Sequence, residues 1–516
     1  MRSDIEVKGR AVPGQEAVLT DEALDLVADL ERQFGGGRED LLLRRAIRQA
    51  DLDRGGSYEP PTDTRHVREG DWRLPPPPRD LEDRRVELSA PATDRRKIVN
   101  ALNSGAQTYL ADLEDSVAPN WTNHVVSQIH LRQAVRREID EVSESGKEYR
   151  LHERTAVLTV RTRGLHLVEP GLRVGGEPVS AALFDAALFV FHNAHELAAR
   201  GSGPYLALTK LEGRHEADWW ARVLGATEDA LGLPRGTVRV TVQLETLPAA
   251  FAMDEMLYAL REHAVAMSIG RFDYTWSVLR KLKASAPILP DRSRLSAAVP
   301  FLAAHSALVV HTAHRRGANA IGGAGSLLPS RRDAEQNERA LAIARREVEG
   351  EVESGFDGVS IIHPDFVAVA ARVFAAHLEG RVDQKDWMGA EVEPRELLHF
   401  GNGASPLTPE GVRETVHSAL LYLDVWLRGE GAVAVANRMV DAATAELGRA
   451  QLWHWAQKGA ELEDGRRFTL PLFRELLAEE VAALGGADEG SLGQAAERLT
   501  RMVEAREPEE FFTLTT

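Results

Sequence analysis

Residues 238–273 read VRVTVQLETLPAAFAMDEMLYALREHAVAMSIGRFD and hold two strand-like apolar runs with room for a helix between them. The first run, Val238–Glu245, is rich in β-branched residues, and the second, Ala264–Gly270, ends at a glycine. A strand, a helix and a second strand in this order are typical of two parallel strands in one sheet. The stretch therefore predicts one repeat of an α/β fold.

The same alternation extends from about residue 85 to about residue 375. The strand-like runs are Val86–Pro91, Thr108–Asp112, Ala156–Arg161, Pro204–Thr209, Val238–Glu245, Ala264–Gly270, Asn319–Gly323 and Gly358–His363. Eight such units predict a closed (β/α)8 barrel, the TIM barrel. An open sheet that binds a dinucleotide would carry a GxGxxG turn after its first strand, and none is present there.

Helical patterns flank this segment on both sides. Residues 21–54 have apolar residues at helical spacing, and four prolines, Pro75–Pro78, then break the pattern. Beyond residue 380 the strand-like runs stop, and residues 408–427, 432–458 and 471–483 predict helices. We expect an N-terminal helical region with its linker over residues 1–84, the barrel over 85–378 and a C-terminal helical domain over 379–516.

The composition is that of a globular protein and excludes several classes. The net charge of −17 argues against nonspecific binding to nucleic acid, and no apolar run is long enough to cross a membrane. The chain has no cysteine, so any metal must bind through oxygen or histidine. Met1–Arg10 lacks the apolar core of a secretory signal, and the last residues are not Ser-Lys-Leu. We therefore expect a cytoplasmic protein.

Acidic and basic residues follow the strand-like runs. In a parallel barrel all strand ends open on one face, where active sites lie. Glu245 ends one run and Asp273 follows the next, so the two carboxylates could share Mg²⁺, which takes one or two carboxylates and leaves its other positions to water and substrate. The alternative is two acids that are merely solvated or paired with bases.

Two further features have both a structural and a chemical interpretation. Arg161 and Arg163 share one face of a strand, and either could bind a carboxylate or an oxyanion, or pair with an acid such as Asp112 or Glu114. Asp441 precedes a strong helix-forming stretch, where an aspartate is most often an N-cap.

These residues belong to a set of motifs that resembles the malate synthase family in its shorter, A form. The motifs are Asp71-Trp72, 83–87 (DRRVE), 111–116 (ADLEDS), 161–167 (RTRGLHL), 245–249 (ETLPA), 270–274 (GRFDY), 314–317 (HRRG) and 441–446 (DAATAE). They occur in the family's order and cover nearly the whole chain.

The resemblance implies a TIM barrel with an N-terminal helical clasp and a C-terminal helical plug. It implies the condensation of acetyl-CoA with glyoxylate, followed by hydrolysis to malate and CoA. By motif, Asp441 would be the catalytic base, Arg161 the catalytic arginine, and Glu245 and Asp273 the Mg²⁺ ligands. The substrate contacts implied are Gly270, Arg271, Phe272, Ala324 and Pro364.

The sequence departs from the family pattern around these contacts. Phe272 replaces a tryptophan, Val440 a glutamate and Asp365 a glycine, and 322–326 reads GGAGS rather than the usual GGMAA. The alternatives are a paralogue with another 2-oxo acid or acyl-CoA, a Mg²⁺-dependent β-hydroxyacyl-CoA lyase, and a barrel without catalysis kept as a binding subunit. We expect a monomer or a small homo-oligomer.

Overall fold

The computed structural model of the chain describes residues 4–330, 332–401, 406–486 and 490–514. Its strands are β1 (Ile5–Val7), β2 (Val86–Pro91), β3 (Thr108–Asp112), β4 (Glu141–Val142), β5 (Glu148–Tyr149), β6 (Val157–Arg161), β7 (Val168–Val174), β8 (Glu177–Ser180), β9 (Tyr205–Leu208), β10 (Arg239–Leu244), β11 (Ala264–Ile269), β12 (Asn319–Ala324), β13 (Gly358–Ile361), β14 (Val433–Val435) and β15 (Arg438–Val440).

The α-helices connect and surround these strands. They are α1 (Asp21–Asp53), α2 (Arg65–Glu69), α3 (Arg95–Leu102), α4 (Trp121–Arg136), α5 (Ala181–Ala199), α6 (Arg214–Ala230), α7 (Leu247–Ala250), α8 (Met253–Ala259), α9 (Arg271–Leu282), α10 (Pro300–Arg316), α11 (Ala334–Glu353), α12 (Val367–Leu378), α13 (Pro409–Leu427), α14 (Ala442–Lys458), α15 (Leu470–Ala483) and α16 (Leu492–Glu504).

Eight of the strands close into a barrel. The order around it is β2, β3, β6, β9, β10, β11, β12 and β13, and every neighbouring pair is parallel. Each strand coincides with one of the eight predicted runs, so the TIM barrel prediction is confirmed. The carboxyl ends of all eight strands therefore meet at one mouth.

The N-terminal region lies along the outside of the barrel. Helix α1 spans 33 residues, begins where the Thr20 side chain accepts from Ala23 N–H, and packs on α5 and α6. Strand β1 pairs with β7 in a small antiparallel sheet that also contains β8. Both contacts tie this region to the β6–β9 side of the barrel.

The C-terminal region is built from α13, α14, α15 and α16 around a hydrophobic core of its own. The prediction of one helix over 432–458 is wrong for its first part, because β14 and β15 form an antiparallel hairpin there. Ala436 and Asn437 form its two-residue turn with φ of 47° and 61°, the left-handed values of a tight hairpin turn. The hairpin ends next to Asp441 and directs the start of α14 toward the barrel.

Among the residues that the structure covers, no helix has both the length and the apolar character that a membrane span requires.

Candidate active site

Arg161 is the last residue of β6 and lies in a network of acids at the barrel mouth. Its Nε and Nη2 donate to the two oxygens of Asp112 at 2.7 and 2.6 Å, and Nη1 lies 2.9 Å from Asp115 Oδ2. Burial alone would raise the pKa of Asp112, but the Arg161 guanidinium outweighs it and holds that pKa at about 2. Arg161 is therefore held in one orientation by two carboxylates.

Arg163 lies in a different environment. It is fully buried and pairs with Asp185 and Glu169, with Nη2 2.8 Å from Asp185 Oδ1 and Nη1 2.9 Å from Glu169 Oε2. Strand β6 ends at Arg161, so Arg163 lies beyond it, and the prediction that the two arginines share one strand face is wrong. Of the two, Arg161 alone contacts the acids Asp112 and Asp115 in the part of the chain that the structure describes.

Glu245 follows β10 and is fully buried. Its Oε1 accepts from the Thr209 hydroxyl at 2.6 Å and from Lys210 N–H at 2.7 Å, and its Oε2 accepts from Gln243 Nε2 at 2.5 Å. These donors come from two adjacent strands and fix the carboxylate at the barrel mouth.

Asp273 lies in the first turn of α9, after the end of β11. Its Oδ1 is buried and lies 3.0 Å from Lys210 Nζ, close enough for an ion pair but not aligned for a hydrogen bond. Burial raises the pKa of Asp273 well above its usual value, and the neighbouring carboxylates of Asp115 and Glu245 add to the effect. An additional cation at this oxygen would stabilise the ionised form of Asp273.

Lys210 is the residue that sequence reasoning missed. It follows β9, and its Nζ lies 3.0 Å from Glu114 Oε2 and 2.9 Å from Asp115 Oδ1, besides its contact with Asp273. The signal was available, since Thr209-Lys210 is a polar pair at the end of a strand-like run. The lysine counts as part of the site because it contacts the proposed metal ligands.

Asp441 is the N-cap of α14, as the residue pattern alone favoured. Its Oδ1 accepts from both the backbone N–H and the hydroxyl of Thr444, at 3.0 and 2.8 Å, while among the described residues no donor reaches Oδ2. Ala442 N–H donates to Asp115 O at 3.0 Å, which joins the helix start to the barrel mouth. Burial, and then the Asp115 carboxylate, raise the pKa of Asp441.

The glycine before α9 is needed for a close approach. A Cβ on Gly270 would lie 2.6 Å from Glu245 Oε2, and its φ of −125° is ordinary, so space rather than conformation requires glycine. Arg271 points elsewhere: its Nη1 donates to Gly323 O at 3.1 Å, and it pairs with Glu351 of α11. The contact of Arg271 with substrate stays a prediction.

Phe272 lies between the barrel and the hairpin. The Arg292 guanidinium stands 4.8 Å from the centre of its ring, and Arg292 Nη2 donates to Met439 O at 3.1 Å. Burial, and then Arg438, lower the pKa of Arg292 to about 10. Arg292, which sequence reasoning also missed, thus connects the residue before Asp273 with the strand that leads to Asp441.

The two other predicted substrate contacts, Ala324 and Pro364, lie at or after the ends of two neighbouring strands. Ala324 ends β12 and pairs with Ile361 of β13, and Pro364 begins a short 3-10 turn after it. A Cβ on Gly325 would lie 2.9 Å from the Phe366 ring, so the loop after β12 packs on that turn. The structure brings Ala324 and Pro364 near each other but gives neither a contact with the acids described above.

The charge balance of the mouth fits a divalent cation. Within the described part of the chain, the side chains of Arg161 and Lys210 pair with four carboxylates, those of Asp112, Glu114, Asp115 and Asp273, and the carboxylates of Glu245 and Asp441 lie close enough to interact with these charges. Burial, followed by repulsion from Asp115, raises the pKa of Glu114 to about 8. No set of three or more His, Asp or Glu side chains in the described ranges is arranged to hold a metal ion. A cation would therefore use two carboxylates and take its other oxygens from substrate and water, as Mg²⁺ does.

Three family models match the chain. They are "Malate synthase, N-terminal domain" over residues 3–66, "Malate synthase, TIM barrel domain" over 157–400 and "Malate synthase, C-terminal" over 407–516. Together they span the N-terminal helix, most of the barrel and the C-terminal helices that carry Asp441.

Curated relatives match along nearly the full length. The chain is 44% identical to the malate synthase of Myxococcus xanthus over 93% of this chain and 88% of that protein. It is 44% identical to the malate synthase of Streptomyces clavuligerus over 98% of this chain and 96% of that one. It is 38% identical to malate synthase A of Escherichia coli, over 97% and 95% of the two chains. With this extent of similarity and the barrel described above, the chain belongs to the malate synthase family.

Proposed function

We propose that this chain is a malate synthase that condenses acetyl-CoA with glyoxylate and hydrolyses the product to malate and CoA. The main observation behind the proposal is that the C-terminal helices position Asp441 next to the barrel mouth, where Arg161, Glu245 and Asp273 lie. The hydrogen bond from Ala442 N–H to Asp115 O supports this, because Asp115 also contacts Arg161 and Lys210.

Asp441 removes a proton from the methyl group of acetyl-CoA. That group is a very weak acid, so a carboxylate base needs a raised pKa and a stabilised product. The burial of Asp441 and its proximity to Asp115 raise its pKa in the required direction. Thr444 binds Oδ1, which leaves Oδ2 for the substrate.

Arg161 stabilises the enolate oxygen that forms as the proton leaves. An arginine stays charged at every relevant pH, and a fixed cation at a developing oxyanion is among the larger contributions to catalysis. Asp112 and Asp115 hold the guanidinium in place before the substrate arrives. The enolate carbon then bonds to the aldehyde carbon of glyoxylate, and the aldehyde oxygen takes up a proton and becomes the hydroxyl of the product. Water then cleaves the C–S bond to give a carboxylate and free thiol.

Glu245 and Asp273 hold Mg²⁺, with Gly270 leaving room for the Glu245 carboxylate. When bound, the ion makes the aldehyde carbon of glyoxylate more electrophilic. The unaligned Oδ1 of Asp273 and the excess of buried carboxylates support this assignment. The backbone of residues 270–273 and the Phe272 ring, with Ala324 at the end of β12 and Pro364 in the turn after β13, form the substrate pocket. The chain acts in the cytoplasm, and its state as a monomer or small homo-oligomer stays a prediction.

The test is release of free thiol from acetyl-CoA by the purified protein, with glyoxylate and Mg²⁺ each added or withheld. We expect release that requires both and that EDTA abolishes. A lyase that leaves the thioester intact would consume the substrates without free thiol, and that outcome would overturn the proposal.

Asp441→Asn tests the base in the same assay. Asparagine caps helices about as well as aspartate, so the fold should be kept, whereas loss of a general base costs about 10²–10⁴ in rate. We expect turnover to fall by about a thousandfold with an unchanged unfolding midpoint. A variant with nearly full turnover would show that another group removes the proton.

A further inference from the structure

Lys210 has a backbone conformation that is unusual for its residue type. Its φ is +54°, in the left-handed region of backbone conformation that residues other than glycine and asparagine seldom adopt. Such conformations persist only where surrounding contacts hold them, and they occur often at functional sites. The contacts that hold Lys210 are therefore informative.

The inner side of Lys210 contacts four acids of the proposed site. Its backbone N–H donates to Glu245 Oε1 at 2.7 Å. Its Nζ lies within 3.0 Å of an oxygen of Glu114, of Asp115 and of Asp273. One residue thus orients both proposed metal ligands, Glu245 through the main chain and Asp273 through the side chain.

The outer side of Lys210 is held by the N-terminal helix. Arg45 of α1 is buried, and its Nη2 donates to Lys210 O at 2.8 Å. The same guanidinium makes two bonds of 2.7 Å to Glu216, whose Oε2 also accepts from Glu212 N–H at 2.7 Å. Arg45 therefore binds both ends of the segment 210–216, which joins β9 to the first turn of α6.

We propose that Arg45 is a positioning residue that holds Lys210 in its left-handed conformation and thereby aligns Glu245 and Asp273 for the divalent cation. The inference rests on the proposed Mg²⁺ site. It gives the N-terminal helix, which contributes no group to the chemistry, a direct role in the affinity of the site. Loss of the bond to Lys210 O should loosen the donor that fixes Glu245, and metal affinity depends strongly on such supporting contacts.

The experiment is calorimetric titration of MgCl₂ into the substrate-free full-length chain. Arg45→Lys keeps a positive charge beside Glu216 but lacks the planar fork that reaches Lys210 O as well. The matched control is Arg38→Lys, since Arg38 is also buried on α1 and donates to barrel backbone, to Leu165 O at 2.6 Å. We expect Arg45→Lys to weaken Mg²⁺ binding about tenfold and Arg38→Lys to change it less than about twofold. Equal effects of the two substitutions would overturn the inference.

A double-substitution cycle shows whether Arg45 acts through Lys210. Glycine adopts positive φ without cost, so in the Lys210→Gly background there is no strained conformation left to hold. We expect Arg45→Lys to have less than about a third of its original effect there. An effect of the same size in both backgrounds would overturn the proposal.

The Mg²⁺ affinity of Glu216→Gln is a second test that does not depend on whether Arg45→Lys folds. It weakens the ion pair but leaves the bond from Arg45 to Lys210 O, so Mg²⁺ affinity should stay within about twofold of the unchanged chain. A tenfold loss would mean that the ion pair sets the site, against the inference. If the unchanged chain itself fails to bind Mg²⁺, the metal assignment of the proposed function is what fails, and the inference falls with it.

Discussion

Asp441 shows how one side chain can serve a helix and a reaction at once. The Thr444 N–H and hydroxyl both bind Oδ1, which is the ordinary geometry of an N-cap. The same position places the carboxylate at the edge of the acidic barrel mouth, where Asp115 repels its charge. A structural role and a catalytic role are therefore compatible here, since they use different oxygens.

The raised pKa of Asp441 predicts how kcat/KM for acetyl-CoA depends on pH. The base must be ionised to accept a proton, so kcat/KM for acetyl-CoA should fall as the pH falls through that raised value. The acid limb should lie above the ordinary aspartate pKa of about 3.9. The measurement is kcat/KM across pH in saturating Mg²⁺ and glyoxylate, with circular dichroism as the control for folding. A rate that stays flat down to the ordinary aspartate pKa would contradict the assignment.

Arg161 at the end of β6 and Arg163 just beyond it mark the limit of what the sequence could predict about single residues. Their spacing in the sequence predicted one shared strand face, so spacing alone could not decide which of them acts at the site. The structure separates them through their partners, Asp112 for one and Asp185 for the other, which are distant in sequence. Lys210 was missed for a similar reason, because its role depends on acids from three other strands.

At the scale of elements, the barrel was predictable and the hairpin was not. The eight strands consist mainly of buried residues, most of them apolar, as expected for strands covered on both faces, and each is followed by a polar residue or turn. The hairpin β14–β15 has only three residues in each strand, and Ala436-Asn437 lacks the glycine that usually marks such a turn. It is decided by packing between the barrel and α13, which the local sequence does not contain.

Gly270 offers a prediction about the junction of β11 and α9. In Gly270→Ala the new methyl group would meet Glu245 Oε2 at 2.6 Å and push the carboxylate out of its hydrogen bonds. We expect Mg²⁺ affinity in the calorimetric titration to fall about 10- to 100-fold. Gly350→Ala in α11 is the control, since a Cβ there has no neighbour within 4 Å. That change should leave the affinity unaltered and stabilise the helix by about 0.5–1 kcal/mol.

At the scale of the molecule, the site exists only when the C-terminal helices lie on the barrel. Two consecutive residues near the C-terminus connect the two parts: Phe511 belongs to the hydrophobic core of the barrel, and Phe512 to that of the C-terminal helices. Phe512 N–H donates to Glu446 Oε1 at 2.8 Å. This segment therefore connects the C-terminal helices to the barrel and keeps α14, and with it Asp441, at the barrel mouth.

Phe511→Ala tests whether this segment holds the C-terminal helices on the barrel. The ring stacks on His166 at 3.7 Å and lies 4.8 Å from the Trp276 ring, so its loss leaves a cavity between barrel and C-terminal helices. Removing a buried phenylalanine costs about 3–5 kcal/mol of unfolding free energy, and a catalytic group displaced by about 1 Å can cost about 10² in rate. We expect both losses together, in denaturant unfolding and in thiol release. The control is Leu514→Ala, because Leu514 is 46% exposed and its truncation should cost less than about 0.5 kcal/mol. If Phe511→Ala lowers stability but leaves kcat unchanged, the position of Asp441 does not depend on this segment, and the hydrogen bond between Ala442 and Asp115 must suffice to hold the two parts together.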